Sequence, residues 1–261
     1  MNSIYESLSY GWRSRRAWWF TATARTRARF ARTALGGFWL GLSNLFSIAA
    51  LSLVYGTVFQ VQDFTQYVVF LGTGLVVWNT LSAAIGSAPS LFEANASHLK
   101  NTNLHPIFYT LEEWAFQVQT FFQSFLMVLL GLTFFKHDLF LNLLLFSWIP
   151  LVNVVLFLYW VPLAVCILGA RFRDLYQLVP IVLQLGFLLS PILYDKKNLG
   201  RFAWTADLNP IYRILSPLRQ ALQDGQVNLH QSLVVLIFNL LGLLLALWLL
   251  ARDRKNLPFF V

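Results

Sequence analysis

Charge is scarce in this chain. Asp, Glu, Lys and Arg make up 11% of the 261 residues, against about a quarter in a soluble domain, and mean hydropathy is +0.61. Water is therefore not the main solvent of the fold. Long apolar runs recur along the whole length and leave no stretch for an independent soluble core, so one membrane domain is expected. Cysteine is nearly absent: Cys166 stands alone, which excludes an intramolecular disulfide and a cysteine-based zinc site. Also missing is the glycine-rich loop ending in Gly-Lys-Ser/Thr that cradles the phosphates of ATP. No lysine follows a glycine, since Lys100, Lys136, Lys196, Lys197 and Lys255 come after Leu99, Phe135, Asp195, Lys196 and Arg254. Enzyme signatures of the His-Glu-x-x-His or Gly-x-Ser-x-Gly kind do not occur. The four histidines, His98, His105, His137 and His230, are scattered and read as solvated loop residues.

The apolar runs themselves carry little charge. Glu112 and Glu113 stand at the start of the third, and Arg171, Arg173 and Asp174 fall between the fourth and fifth. An ion-coupled carrier keeps ionisable groups inside its spans; their scarcity points to energy delivered mechanically from outside the membrane. The N-terminal 32 residues lack the short apolar core and small-residue cleavage site of a secretory signal, so the first run is expected to act as its own insertion signal.

A helix needs about 20 apolar residues to cross a hydrocarbon core of about 30 Å. Six segments meet that requirement: residues 35–59, 67–92, 114–135, 141–168, 175–193 and 232–250. The formal charge of +8 does not call for nucleic acid, because seven of the 19 Lys and Arg residues precede the first span, a placement that suits a membrane surface. With both termini cytoplasmic, thirteen basic residues fall inside and six outside, in line with the positive-inside rule. Residues 14–33 are rich in arginine, with Trp18, Trp19, Phe20 and Phe30 interspersed; they read as an amphipathic helix in the headgroup plane or as a plain basic flank. Residues 194–231 begin polar and turn apolar at helical spacing through Ile211, Ile214, Leu215, Leu218 and Leu222. Pro210 and Pro217 are expected to interrupt them, giving short re-entrant helices or, alternatively, a helix flat on the outer surface.

The polar side chains within spans are amides and hydroxyls, among them Asn79, Gln117, Asn153, Gln184 and Asn239, and interhelical hydrogen bonding accounts for them. Phe116, Gln119 and Gln123 share one helical face. They glue helices together or line a path on which sugar hydroxyls meet amides and aromatic rings.

Four collinear stretches resemble the ABC-2 type membrane subunits that export O-antigen, capsular polysaccharide and teichoic acid. They are Arg29-Phe30-Ala31-Arg32-Thr33-Ala34-Leu35-Gly36-Gly37-Phe38-Trp39; Gly74-Leu75-Val76-Val77-Trp78-Asn79, followed by Glu93-Ala94-Asn95-Ala96 and Leu99-Lys100; Ala170-Arg171-Phe172-Arg173-Asp174-Leu175, continuing to Leu189-Ser190-Pro191-Ile192-Leu193-Tyr194 and Leu208-Asn209-Pro210; and the basic-aromatic tail from Arg252 to Val261. Leu104-His105-Pro106 departs from the family, which more often has an apolar residue before the proline.

The resemblance implies an all-α integral membrane protein of six transmembrane helices in a bacterial inner membrane. Its parts would be a cytoplasmic N-terminus with the interfacial helix (1–34), the membrane domain (35–251) with re-entrant helices before the last span, and a cytoplasmic tail (252–261). It implies a homodimer exporting an undecaprenyl-linked glycan, bedded in membrane lipid, with two copies of a separate ATPase subunit. That partner would hold ATP and Mg²⁺; this chain would bind no cofactor. Residues 93–103 would form the coupling helix, contacting the partner through Glu93, Asn95, His98, Lys100 and Asn103, against the plainer reading of a polar loop. Arg25, Arg27, Arg29 and Arg32 belong to the interfacial helix. Arg171, Arg173 and Asp174 are cytoplasmic anchors with one local ion pair, or contacts to the partner or to lipid pyrophosphate. Alternatives are an ABC-2 exporter of a drug or lipid, and a membrane component that translocates nothing.

Overall fold

The computed structural model describes residues 2–101, 104–254 and 256–260. Asn103 and Lys255 lie outside the described residues. Among those residues the fold is all-helical, without strands: α1 (Asn2–Arg13), α2 (Arg15–Arg29), α3 (Phe38–Val58), α4 (Phe64–Ser87), α5 (Leu91–Ala94), α6 (Ala96–Asn101), α7 (Ile107–Leu132), α8 (Leu139–Phe146), α9 (Trp148–Arg171), α10 (Leu175–Leu189), α11 (Ala203–Leu208), α12 (Pro210–Asp224), α13 (Leu229–Asp253) and α14 (Leu257–Phe260).

Five helices are long and apolar enough to cross a membrane: α3, α4 with its continuation to Ala94, α7, α9 and α13. The fifth expected span, 175–193, is a helix of only 15 residues, α10. It stops at Leu189 because Pro191 lacks an N–H and pushes Ser190 out of the helical region (φ −87°, ψ 135°). Other boundaries moved too. α7 starts seven residues before the expected 114, at Ile107, and carries Glu112 and Glu113 within its first two turns. The fourth run divides at Ser147 into α8 and α9. α1 has no counterpart among the expected elements.

The region between α10 and α13 holds a 3-10 segment, Lys196–Phe202, then α11 and α12. Pro210 begins α12, where a missing N–H costs nothing, and the Asn209 side chain accepts from the Ile211 N–H at 3.0 Å. Pro217, expected to interrupt, sits buried inside an unbroken α12. Gly225 ends that helix with φ 62°, a left-handed value that glycine reaches without strain.

Where lipid competes with the interior for apolar surface, helices are held by close packing and hydrogen bonds rather than by exclusion from water. α4 and α7 occupy the centre, with Leu71, Leu81, Phe121, Phe125 and Leu129 fully buried. α9 and α13 meet through a polar knot: Asn239 Nδ2 donates to the backbone and side-chain oxygens of Asn153, each at 3.1 Å, and Trp160 Nε1 donates to Asn239 Oδ1 at 2.9 Å. Beside it a Cβ on Gly242 would lie 2.7 Å from the Trp160 ring, so only glycine admits that indole. Asn79 donates to Asn44, which donates to Ser124, joining α4, α3 and α7. α3 and α10 keep broad apolar faces uncovered, including Phe46, Leu53, Ile181 and Leu185.

Candidate coupling site

The charged residues singled out above gather at one end of the bundle. α4 runs through a 3-10 turn at Ala88–Ser90 into α5, Asn95 breaks the helix, and α6 follows. Two apolar anchors seat the segment: Phe92 and Leu99 are buried in a cluster with Ile107, Ile167 and Leu257 of the tail. The polar residues between the anchors face outward, with Glu93, His98 and Lys100 exposed and Asn95 half-buried, its amide turned back to the Leu91 carbonyl at 2.8 Å. The turn is pressed against α9: a Cβ on Gly169 would lie 2.6 Å from the Pro89 Cα. A push on α5 and α6 is thus received by a packed surface.

Polar contacts carry that surface into other elements. Tyr176, in the first turn of α10, donates its hydroxyl to Glu93 Oε2 at 2.6 Å. This ties the coupling segment to the helix that follows Arg171, Arg173 and Asp174. All three of those residues are exposed; Arg171 lies over the Phe172 ring at 5.6 Å. Among the described residues no ion pair joins either arginine to Asp174, contrary to the expected local pair, because the chain turns out of the helix at Phe172 (φ −128°, ψ 102°).

α2 lies along α7. Ala22 and Ala115 are fully buried where the two helices touch. Arg25 pairs with Glu113 at 2.6 Å and with Glu112 at 3.6 Å, and its guanidinium stands 4.2 Å from the Phe116 ring centre. Gln117 also donates to Glu113, at 2.8 Å. A carboxylate buried this far into an apolar helix requires such partners. Gln119 donates to Thr23 and accepts from Thr26, and the Gln123 amide fills the space over Gly37, where a Cβ would fall 1.8 Å from Nε2. Phe116, Gln119 and Gln123 therefore do share a face, and within the protomer that face seats α2 and the turn after it. Arg27, Arg29 and Arg32 are exposed, with the Arg29 guanidinium 5.5 Å from the Phe30 ring centre.

α1 closes the same end. His105, expected to be a solvated loop residue, is instead buried. Its Nδ1 accepts the Ile107 N–H at 3.1 Å, which leaves Nε2 as the protonated nitrogen facing Ser7 Oγ at 3.2 Å. Tyr10 stacks on the ring at 5.3 Å, and Glu6 pairs with Arg254 at 2.8 Å. Burial, with Arg254 nearby, pushes the imidazole down from 6.5 to about 4. The partners of Glu93, Glu113 and His105 lie about 83 to 98 positions away in sequence, so no local pattern advertises them. No His, Cys, Asp or Glu grouping among the described residues could hold a metal ion.

Residues 18–222 match the family described as ABC-2 type transporter. The chain belongs to that family. Two relatives, each named O-antigen export system permease protein RfbA and each from Klebsiella pneumoniae, resemble it over most of their length. One is 26% identical over 218 residues, covering 81% of this chain and 82% of the relative; the other is 24% identical over 208 residues, covering 77% and 78%. The match takes in most of α2, residues 88–101 and the 171–174 loop at the basic end, and most of α12 at the other.

Proposed function

We propose that this chain is the membrane-spanning permease subunit of an ATP-driven exporter of an undecaprenyl-linked polysaccharide in a bacterial inner membrane. It works as a homodimer with two copies of a separate nucleotide-binding subunit, which holds the ATP and Mg²⁺. The observation that carries the reading is the construction of residues 88–101: outward-facing polar groups on buried apolar anchors, pressed on α9 and bonded to α10. Such a segment accepts force from a docked partner and passes it into two membrane helices. The similarity to O-antigen export permeases supplies the class of cargo.

The six-span layout is part of the proposal. α1 packs on α13 and Glu6 pairs with Arg254, so both termini lie on one side, which requires an even number of crossings. The five long helices need one more, and α10 supplies it: 15 residues rise about 22 Å, and the extended chain after Ser190 completes the passage. The 3-10 segment, α11 and α12 are then re-entrant, with backbone covered by protein. By the positive-inside rule the basic end is cytoplasmic. The exposed arginines of α2 meet lipid headgroups, and the uncovered faces of α3 and α10 meet lipid or the second protomer.

Deleting the gene in its host tests the cargo: lipid-linked polymer should accumulate inside the cell. Normal surface polymer in the deletion strain, with no second exporter present, would sink the assignment. Charge reversal at Glu93 together with Lys100 tests the docking site. It should weaken co-purification of the ATPase subunit while the permease still inserts, and unchanged co-purification with unchanged export would remove the coupling role.

A further inference from the structure

An open cavity lies at the end opposite residues 88–101. About 820 Å³ in volume, it is bordered by the α3–α4 turn, the first turns of α4, residues 191–198, α12 and the start of α13. That volume falls in the range of about 300–1,000 Å³ in which proteins hold small ligands. α12 is divided lengthwise: Ile214, Leu215, Leu218 and Leu222 are buried in the core, while Tyr212, Ser216, Arg219, Gln220 and Gln223 line the cavity at helical spacing.

Arg219 is the built element of the wall. Its residue exposure is 6%, and its guanidinium donates to the carbonyls of Phe70 (3.1 Å), Pro191 (2.7 Å) and Ile192 (3.3 Å) while lying 3.6 Å from the Phe70 ring centre. Among the described residues it has no carboxylate partner. An arginine carries five N–H donors, and these carbonyls use three of them. The rest of the lining is balanced. Three cations (Arg219, Lys196 and Lys197) face three carboxylates (Asp63, Asp195 and Asp224). Asp63 and Asp195 already accept backbone N–H groups, and Lys196 is held by Asp207. Tyr212, Gln66 and Gln220 keep polar heads without a hydrogen-bond partner among the described residues. Neutral overall, rich in amides, with rigid donors and aromatic rings that offer an apolar face and a polar tip, the cavity matches the mixed surface of a sugar.

We propose that this cavity is a saccharide-binding site at the outer mouth, taking a short, uncharged stretch of the exported glycan. Arg219 and Gln220 bond its oxygens, and Tyr212 covers a sugar face. The proposal rests on the export reading and adds to it a holding point on the exit side.

The test places a benzophenone amino acid at Gln220, and for comparison at Leu145 on the exposed side of α8, in cells exporting their own polymer through the intact complex. After irradiation the permease is purified, delipidated and probed for attached polymer. A polymer-bearing adduct at position 220, missing at 145 and lost when Ser216→Trp fills the cavity, is the expected result. An adduct no stronger at 220 than at 145 while export is normal overturns the site, as does an adduct that survives Ser216→Trp. Capture of phospholipid alone would make the cavity a headgroup pocket and overturn it equally. If export persists after the gene is deleted, the transport reading fails on its own evidence and the site falls with it.

Discussion

At the basic end of the bundle four polar contacts bridge separate elements: Tyr176 to Glu93, Arg25 to Glu113, His105 to Ser7, Arg254 to Glu6. At the opposite end polar side chains line a space of about 820 Å³, and the deeply buried Arg219 is held by backbone carbonyls rather than by a carboxylate. The first arrangement transmits displacement, because moving one element drags another. The second holds a shape. Breaking contacts at the two ends should therefore have different consequences: loss of fold at one, loss of coupling at the other.

Arg219→Ala should have the largest effect. It orphans the buried carbonyls of Pro191 and Ile192, each costing about 1–3 kcal/mol, and removes the group that ties α12 to Phe70, whose carbonyl keeps the Thr73 hydroxyl, and to the chain after α10. Thermal unfolding of the purified permease in detergent should fall sharply, with Arg219→Lys in between. Gly74→Ala should act at the same point, since its Cβ would lie 1.9 Å from the Arg219 guanidinium. In the Arg219→Ala background Gly74→Ala should then cost almost nothing. Additive losses would show that Gly74 and Arg219 are not coupled.

Next comes the seat of α2. Arg25→Ala strands a buried carboxylate, whereas Arg25→Ala with Glu113→Ala removes the whole pair. The single change should cost about 1–3 kcal/mol, toward the lower figure because the Arg25 side chain is 47% exposed, and the double change should recover part of it. Protease nicking of α2 under native conditions measures this. Equal sensitivity of the single and double variants would show that Arg25 does not hold the helix down.

How far the sequence discloses these features depends on range. The spans are legible because crossing lipid demands about 20 apolar residues in a row, and Asn79, Asn153 and Asn239 are found joining helices, as polar residues in lipid are expected to. The start of α7 is misplaced because Glu112 and Glu113 look like a boundary until Arg25 is seen neutralising them from 88 positions away. Pro217 looks like a helix breaker because local propensity says nothing of the tertiary packing that keeps α12 intact. Residues 88–101, proposed to receive the partner, are recognisable as a polar stretch between spans, but the bond from Tyr176 to Glu93 is not. The cavity face of α12 is legible only as the polar complement of an apolar stripe, which by itself does not distinguish a cavity wall from a solvated face.

His105 offers a pH test at the basic end. Its pKa is about 4 when folded, below its ordinary 6.5, so the neutral form is the one the fold favours. The stabilisation is complete above about 6.5 and is lost progressively as pH falls through the window toward about 4. The proton must enter at Nδ1, which costs the bond from the Ile107 N–H. Hydrogen exchange across α1, corrected for intrinsic rates, should accelerate between about pH 7 and about pH 5, and His105→Asn should flatten that dependence. A pH response unchanged in the variant would assign it to another group.

The smallest effect on stability, and the sharpest on function, belongs to Tyr176→Phe. Removing one hydroxyl whose partner Glu93 is exposed should cost no more than about 0.5–1.5 kcal/mol, leaving insertion and partner docking intact. If the bond passes motion from the coupling segment into α10, the assembled complex should still hydrolyse ATP while exporting less polymer per ATP consumed. Glu93→Gln keeps an acceptor at the same place and should preserve much of that ratio, whereas Glu93→Ala should lower it as Tyr176→Phe does and, Glu93 lying on the proposed docking face, should weaken co-purification of the ATPase subunit as well. A purely structural bond predicts instead that turnover and export fall together in proportion to folded protein, and that outcome would confine transmission at this end to the packing of Pro89 against Gly169.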